Sequence, residues 1–584
     1  MNKILKADWI LLQSIIFVVV LYAWIAFLSA LLGVFYAPAI FTLWFLTCVI
    51  FYRKNILKFS PPSGNFLTYT FLIIGFVLII SYFTTPTIFS GRDQGSLSEA
   101  SMRLAQNHTL IQHTPESDAF FDIYGRGKAL NFPGFFYNPD GGLITQFPLP
   151  YISFLGGFFD VFGVTGFIIA NAILLFTFII SVTTVARNYL NHRYALIFLA
   201  ILLTSFSIGW FAKFTLSENI ASMLLWSAFA LYFLLKKSPS PNTYFIFLST
   251  IALLLFSRIE GIWFFIMFLF LIFRNKSIKQ FVKKDIWWRV AFPLTILFVI
   301  SCTVLIMNIP FFITMATAST NATSDIADSS DLMNKLAYLF STYTLYGLLL
   351  PLLLTCIVGI ISLRYKKYRQ IMLPFILVLP LAIYYFFPQI SGDHPWMLRR
   401  FVFALLPATI LISVVFVSYI RPSNLFKHVA KYLILSILFI ANLFTFFTFI
   451  TYSENLTLQK QVADISKDFG DNDLILVDKD TAANGWSLIT NPMRSLENKH
   501  AVYFFNPYDF EKLDTSSFDN VFLITSNENK HRYLDVLSDK MSYVKKYVIV
   551  TEQLDITKSK TLPPKTPEKE TYIIRGTVYK LTTQ

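Results

Sequence analysis

The chain has 584 residues, 55% hydrophobic, 17% aromatic and only 14% charged, with a formal net charge of +14. Its apolar residues gather in blocks of about 17 to 25, the length of a membrane span, which excludes an ordinary water-soluble fold and marks a polytopic membrane protein. Most Lys and Arg sit in short clusters between those blocks, the pattern that orients a chain in a bilayer rather than one that binds nucleic acid, and Cys48, Cys302 and Cys356 fall inside apolar blocks, so no disulfide framework or zinc site is predicted.

The first block runs from about Trp9 to Leu32 with no small-residue cleavage site behind it, and reads as a retained helix rather than a removed signal peptide. Further blocks begin near Ala37, Phe66, Val164, Tyr194, Ile220, Tyr244, Ile262, Ala291, Leu336, Ile371, Phe401 and Leu433, giving about thirteen predicted transmembrane helices. The stretches "MNKILK", "YRKNILK", "ARNYLNHR", "KKSPSPN", "RNKSIKQFVKK", "RYKKYR" and "RPSNLFKHVAK" all belong on the cytoplasmic side by their positive charge. The blocks after Tyr244 and Ile262 are short, but Lys236 and Lys237 before them and Arg274 after them put both ends in the cytoplasm. "SRIEG" is then the turn of a helical hairpin on the opposite face.

That opposite face collects a loop over residues 86–150, "AKFTLSEN", "SRIEG", "TASTNATSDIADSSD" and "SGDHPWMLRR". In the loop, "GRDQG" places Arg92, Asp93 and Gln94 between two glycines that permit unusual backbone geometry. "SLSEASMRLAQN" follows, with apolar Leu97, Ala100 and Leu104 on one side and Glu99 four residues before Arg103, and predicts a short amphipathic helix on the membrane surface. "YNPDGG" is a turn signal, and "QFPLPYI" leads back to the bilayer. From residue 451 onward, short strand-like runs alternate with helical or turn-rich segments and predict an α/β domain of about 130 residues, placed outside by the odd number of spans. No internal repeat suggests the inverted halves of a transporter.

Several charges here demand explanation. Asp93 fits either a solvated cap or a functional carboxylate. Arg258 and Glu260 interrupt apolar helices, where charge is expensive, so they face a polar cavity or each other. Glu218 beside Asn219 caps the following helix or joins a site. Arg399 and Arg400 break the positive-inside pattern and suit an anionic ligand. Asp393 and His394 offer two metal-ligand types, too few to define a metal site.

Taken together, an acidic residue in a large outer loop after an early span, the return segment "FPLPY", a "SEN" motif heading a later helix, the "SRIEG" turn and a terminal α/β domain resemble the polytopic GT-C glycosyltransferases. The resemblance points most closely to bacterial relatives of the protein mannosyltransferases and the lipid A aminoarabinose transferases. It implies a catalytic membrane domain over residues 1–450 and an extracytoplasmic domain over 451–584, in a multi-pass plasma-membrane protein whose N-terminus is cytoplasmic. It implies a polyprenyl-phosphate sugar donor, an inverting transfer, and Asp93 as catalytic base, with Arg92, Gln94, Glu99, Glu218, Arg258, Glu260, His394, Arg399 and Arg400 as substrate-binding candidates. The family often carries paired acids in this loop. Here Gln94 follows Asp93, so no metal or other cofactor is assigned. The competing classes are a transporter or lipid-linked-sugar flippase, and an assembly factor of the cell envelope; the gathering of polar motifs on one face favours the enzyme.

Overall fold

The computed structural model describes residues 3–283, 329–382, 394–420, 424–482, 488–555 and 563–582, with a few residues between 296 and 306. Among them five helices are long and apolar enough to cross a membrane: Ala7–Leu31, Gly64–Tyr82, Thr165–Ala186, Ser217–Lys237 and Leu425–Ile450. The number rises to seven if Leu336–Leu345 with Leu349–Arg364, bent by 107°, and Trp396–Val402 with Leu405–Ser418, bent by 61°, each count as one span. Shorter apolar helices, Ala37–Arg53, Leu149–Phe162, His192–Leu203, Pro241–Ser257 and Gly261–Arg274, stand with them. The span expected near Ala291, residues 317–328 of the serine-rich loop and Asp393 lie outside the described residues.

Local chemistry sets many of the helix starts. Ser63, Asn191, Ser240 and Asn424 each accept a backbone N–H three residues on, the usual polar N-cap, and Pro241 adds a fixed φ where no donor is needed. Asp8, fully buried, then ties three helices at one end: it accepts from the backbone N–H and hydroxyl of Ser63 and from Arg187, each at 2.7 Å.

Two helical expectations are corrected. The helix predicted from Ile371 ends with Lys366–Met372 and tightens into 3-10 turns over Leu373–Leu377 and Leu379–Ala382. Pro374 and Pro380 each remove a backbone donor there. The outer loop also runs into an unanticipated apolar helix, Leu149–Phe162, before Thr165–Ala186 begins. At 14 residues it is too short to register as a span.

The loop itself is folded. It carries the helix Asp93–Asn107, the helix Pro115–Tyr124 with a reciprocal Thr114/Ser117 cap, and a small antiparallel sheet of β1 (Gly127–Lys128), β2 (Phe135–Tyr137) and β3 (Leu143–Thr145). Beyond Ile450 the chain forms a five-stranded mixed sheet in the order β5-β4-β6-β8-β7, with β4 (Leu474–Val477), β5 (His500–Tyr503) and β6 (Val521–Ser526) parallel and β7 (Met541–Asp555) and β8 (Glu568–Leu581) antiparallel.

This C-terminal unit docks on the loop, which overturns the expected surface helix. Gln94 to Ala105 are all buried, because Leu149–Phe162 packs on one side and the short helix Thr490–Ser495 on another. Glu99, 2% exposed, pairs with Arg103 at 3.1 Å and also with Arg494 and Ser90. Burial alone raises its carboxyl pKa, but Arg494 and Arg103 outweigh that and hold it below the ordinary value. Glu116, also buried, accepts from His500 at 2.9 Å. Burial opposes its charge too, yet His500 and the two arginines bring its pKa down, and the Glu116 hydrogen bond raises that of His500. Backbone contacts complete the dock: Ser90 and Leu488 exchange hydrogen bonds, Asn491 donates to the Ile88 carbonyl at 2.7 Å, and Gln106 donates to the Ser495 carbonyl at 2.7 Å.

Candidate active site

GRDQG turns an extended segment into a helix. Gly91 has φ 109°, a region L-residues resist, and a Cβ on Gly95 would fall 1.5 Å from the Phe89 carbonyl oxygen, so both positions require glycine. Arg92 is the residue before the first helical turn and Asp93 opens it, where a carboxylate meets the positive end of the helix dipole. Thr215 pins this turn from another segment, donating to the Gln94 carbonyl at 2.6 Å while sharing a 2.8 Å bond with Ser98. Threonine and serine thereby join "GRDQG" to "TLSEN".

Six charged side chains from four segments meet around that junction. Arg399 Nη2 donates to Asp93 Oδ2 at 2.6 Å, and its Nε lies 4.0 Å from Glu218 Oε1. Arg258 contacts Glu218 at 2.9 Å, reaches both oxygens of Glu260 at 3.0 and 3.1 Å, and donates to Ser217 at 3.0 Å. Arg400 donates to Glu260 at 3.3 Å. Three guanidinium groups thus balance three carboxylates, which is what allows so much charge to be buried. Arg258, stacked 4.9 Å over Phe403, is committed to carboxylates, so of the two readings left open for Arg258 and Glu260 the geometry shows an ion pair. Burial raises the Glu260 carboxyl, but Arg258 outweighs it and Arg400 adds to the effect, holding it well below the ordinary carboxylate value.

Asp93 stands apart within the cluster. Its side chain is 46% exposed, against 4% for Glu218 and 7% for Glu260, while Arg399 beneath it is 9% exposed and Arg400 is 21% exposed. The neighbouring Arg92 stacks 5.1 Å from the Trp396 ring, which in turn packs edge-on to Phe214. Arg92 and Gln94 also line a cavity that extends to Trp210, Tyr452 and Gln553, so the loop, the helical body and the C-terminal unit share one recess, whose lining includes the neighbours of Asp93 on either side but not Asp93 itself.

Two of the sequence candidates stand elsewhere. Glu99 belongs to the docking contact with Arg494. His394 is fully buried and shares a 2.9 Å hydrogen bond with Tyr346. Among the described residues no three His, Cys, Asp or Glu side chains group to hold a metal ion. Thr215 and Phe403 escaped the sequence reading, although Thr215 stands two residues before the "SEN" motif, whose first residue is Ser217. Arg494 escaped it too, because one arginine in a polar segment carries no local signal.

No family model and no curated protein matches the chain. Among solved structures it is similar to ArnT from Cupriavidus metallidurans bound to undecaprenyl phosphate, with 12% identity, 88% of this chain and 98% of that one covered, and a TM-score of 0.49. The same protein in the apo state gives 12% identity at the same coverage and a TM-score of 0.47. The archaeal oligosaccharyltransferase AglB from Archaeoglobus fulgidus, in complex with an inhibitory peptide and a dolichol-phosphate, gives 11% identity, coverage of 80% and 70%, and a TM-score of 0.48.

Proposed function

We propose that the protein is an integral membrane glycosyltransferase that moves a sugar from a polyprenyl-phosphate donor to an acceptor hydroxyl on the extracytoplasmic face. The observation that carries this reading is the half-exposed Asp93 carboxylate, held at 2.6 Å by a buried arginine. Its topology has the N-terminus in the cytoplasm of a plasma-membrane protein, a catalytic part over residues 1–450, and residues 451–584 outside.

The chemistry is a single displacement with inversion. The acceptor oxygen attacks the anomeric carbon as its proton passes to Asp93, and the bond from that carbon to the lipid-phosphate oxygen breaks. The departing phosphate gains negative charge and needs a cation. Because the cluster is charge-balanced, an incoming phosphate must take a guanidinium from a carboxylate, and the pair exchanged at least cost is the one nearest solvent, Arg399 with Asp93. Arg400 is the second phosphate contact. Arg258 organises the wall by holding Glu218 and Glu260. Moving Arg399 toward phosphate releases Asp93 to act as base.

Asp93→Asn tests the reading, since asparagine keeps the shape but cannot take a proton at neutral pH. Transfer from a polyprenyl-phosphate sugar by the purified protein is expected to fall about 100- to 10,000-fold, with donor binding retained. Near-full turnover in Asp93→Asn would sink the base assignment. Transport of the lipid-linked sugar across liposomes without any transfer would move the protein to the flippase class.

A further inference from the structure

Residues 213–218 lead from the short helix Phe206–Phe211 into Ser217–Lys237, and three of their side chains reach three different parts of the molecule. Lys213, 5% exposed, donates from its ammonium to the carbonyls of Phe449, Ile450 and Tyr452 at 3.2, 2.6 and 2.8 Å. These carbonyls lie at the end of the helix Leu425–Ile450, where the helix dipole is negative and backbone oxygens lack helical partners, so an ammonium there answers both needs. Thr215 donates to the Gln94 carbonyl, next to Asp93, at 2.6 Å, while Glu218 contacts Arg258 at 2.9 Å and lies 4.0 Å from Arg399. The transfer chemistry gives Lys213 itself no task.

The segment is built as a stiff strut. Residues 212–216 are not helical, and buried backbone groups outside a helix must find other partners. The Phe214 carbonyl accepts from two side chains, Asn171 at 3.2 Å and Asn219 at 2.8 Å, and the Tyr151 hydroxyl holds Asn171 in turn at 2.7 Å. Beyond the carbonyls that Lys213 holds, the chain passes at once into the C-terminal unit. Glu454 accepts the Leu554 N–H at 3.2 Å, the Asn455 N–H donates to the Glu552 carbonyl at 3.0 Å, and the Asn455 side chain accepts from Thr551 and Gln553 at 3.0 and 2.8 Å, all on β7. That unit grips the helix Asp93–Asn107 through Arg494 and Glu99. The contacts close a ring: Lys213 ties the helical body to the C-terminal unit, Arg494 ties that unit to the helix that Asp93 opens, and Thr215 ties that helix back to the segment bearing Lys213.

We propose that Lys213 is a positioning residue for Asp93: through Thr215 it couples the seating of the C-terminal unit to the turn that bears the carboxylate. The proposal deepens the glycosyl-transfer reading, on which it rests for its effect on rate, by naming what regulates the placing of the base. Lys213 and Thr215 are two residues apart, at most about 7 Å of chain, so a displacement of residues 449–455 reaches the Gln94 carbonyl with little backbone to absorb it. Asp93 is the next residue, and its contact with Arg399 moves with that carbonyl. Without the ammonium, three carbonyls at the end of the last helix lose their donor and the ring of contacts opens.

The test uses full-length protein in nanodiscs with Lys213→Met, the milder Lys213→Gln, which keeps two donors but no charge, and Thr215→Val, which cuts the strut at its other end. Hydrogen exchange read by mass spectrometry reports the two ends separately. Lys213→Met should speed exchange over residues 449–455 and also over 93–98, to which Lys213 makes no hydrogen bond; Thr215→Val should speed it over 93–98 alone. The kcat for transfer from a polyprenyl-phosphate sugar should fall by up to about 100-fold in Lys213→Met, the cost of misplacing a reacting group by about 1 Å. In an Asp93→Asn background the same change should slow transfer no further, because a residue that acts through Asp93 has nothing left to position. A residue that only held the fold together would slow both backgrounds alike. If Lys213→Met fails to insert, Lys213→Gln carries the same comparisons with smaller effects. Faster exchange confined to 449–455, or equal losses of transfer in both backgrounds, would overturn the proposal. Wild-type turnover in Asp93→Asn would instead remove the base assignment, and in a protein that transfers nothing, exchange linked at both ends would keep the coupling and remove the enzyme.

Discussion

Glu99→Gln is the sharpest test of how the C-terminal unit and the catalytic loop are joined. The wild-type carboxylate is 2% exposed and lies between Arg103, equally buried, and Arg494, 12% exposed. Glutamine keeps the shape and a hydrogen-bonding oxygen but removes the charge in direct contact with both arginines, leaving Glu116, which is hydrogen-bonded to His500, as the nearby carboxylate that acts on them. Breaking a buried ion pair from one side typically costs about 3–5 kcal/mol, which is about two to four powers of ten in the equilibrium between docked and undocked states. Limited proteolysis in nanodiscs reads this directly, because undocking exposes the chain around Leu488 and Arg494. Glu99→Gln should be cut there far faster than wild type and lose thermal stability. Arg494→Met should do likewise, and the double variant should lose less than the sum of the two, because the second change removes a charge that the first left unpaired. Wild-type protease resistance in Glu99→Gln would refute the reasoning, and the helix bearing Asp93 would then owe its placement to packing alone.

Three further outcomes follow from the same geometry. Removing the charge at Arg399 or Arg400 should weaken donor binding by about 2–5 kcal/mol, measured as the Kd for a polyprenyl-phosphate sugar; unchanged affinity in both single variants and the double variant would rule out the phosphate role. Docking should also depend on pH in a definite sense. The depressed carboxyls of Glu99 and Glu116 add stability above their ordinary value of about 4.3 that is lost as the pH falls through their folded values, whereas the raised imidazole of His500 adds stability below about 6.5 that is lost as the pH rises through its folded value. Protease resistance of the interface should therefore peak between about pH 4.3 and 6.5, and in His500→Gln the loss on the alkaline side should vanish. Protease added to intact spheroplasts should trim the chain beyond Thr451 and spare the "RNKSIKQFVKK" loop, and the reverse pattern would overturn the proposed orientation.

What could be read in the sequence follows the range of the forces involved. Apolar blocks of span length are a local signal, and so are the caps at Ser63, Asn191 and Asn424, because a polar side chain three residues before a helical N–H needs no distant partner. "GRDQG" was readable as a special turn for the same reason. The two prolines that break the helix after Met372 were equally visible, but inside a uniformly greasy block they were outweighed by hydropathy, and the 14-residue helix Leu149–Phe162 fell below the length a span requires.

Charge pairing is where local reading stopped. Glu99 and Arg103, four residues apart, satisfy the rule for a solvent-facing helical pair, and nothing within the loop distinguishes that case from a buried one. The distinction comes from Arg494, 395 residues away, which turns a weak surface pair into a contact that joins two parts of the chain. The same limit applies to Arg258, whose partners Glu218 and Glu260 are 40 and 2 residues away, and to Arg399, which meets Asp93 across 306 residues. In a membrane protein an unpaired charge at a helix end must find an opposite charge or a polar cavity. The sequence therefore shows that Arg258, Glu260 and Arg399 need partners, and only the folded chain shows that the six charges meet one another, with Asp93 left half-exposed at the edge of the cluster.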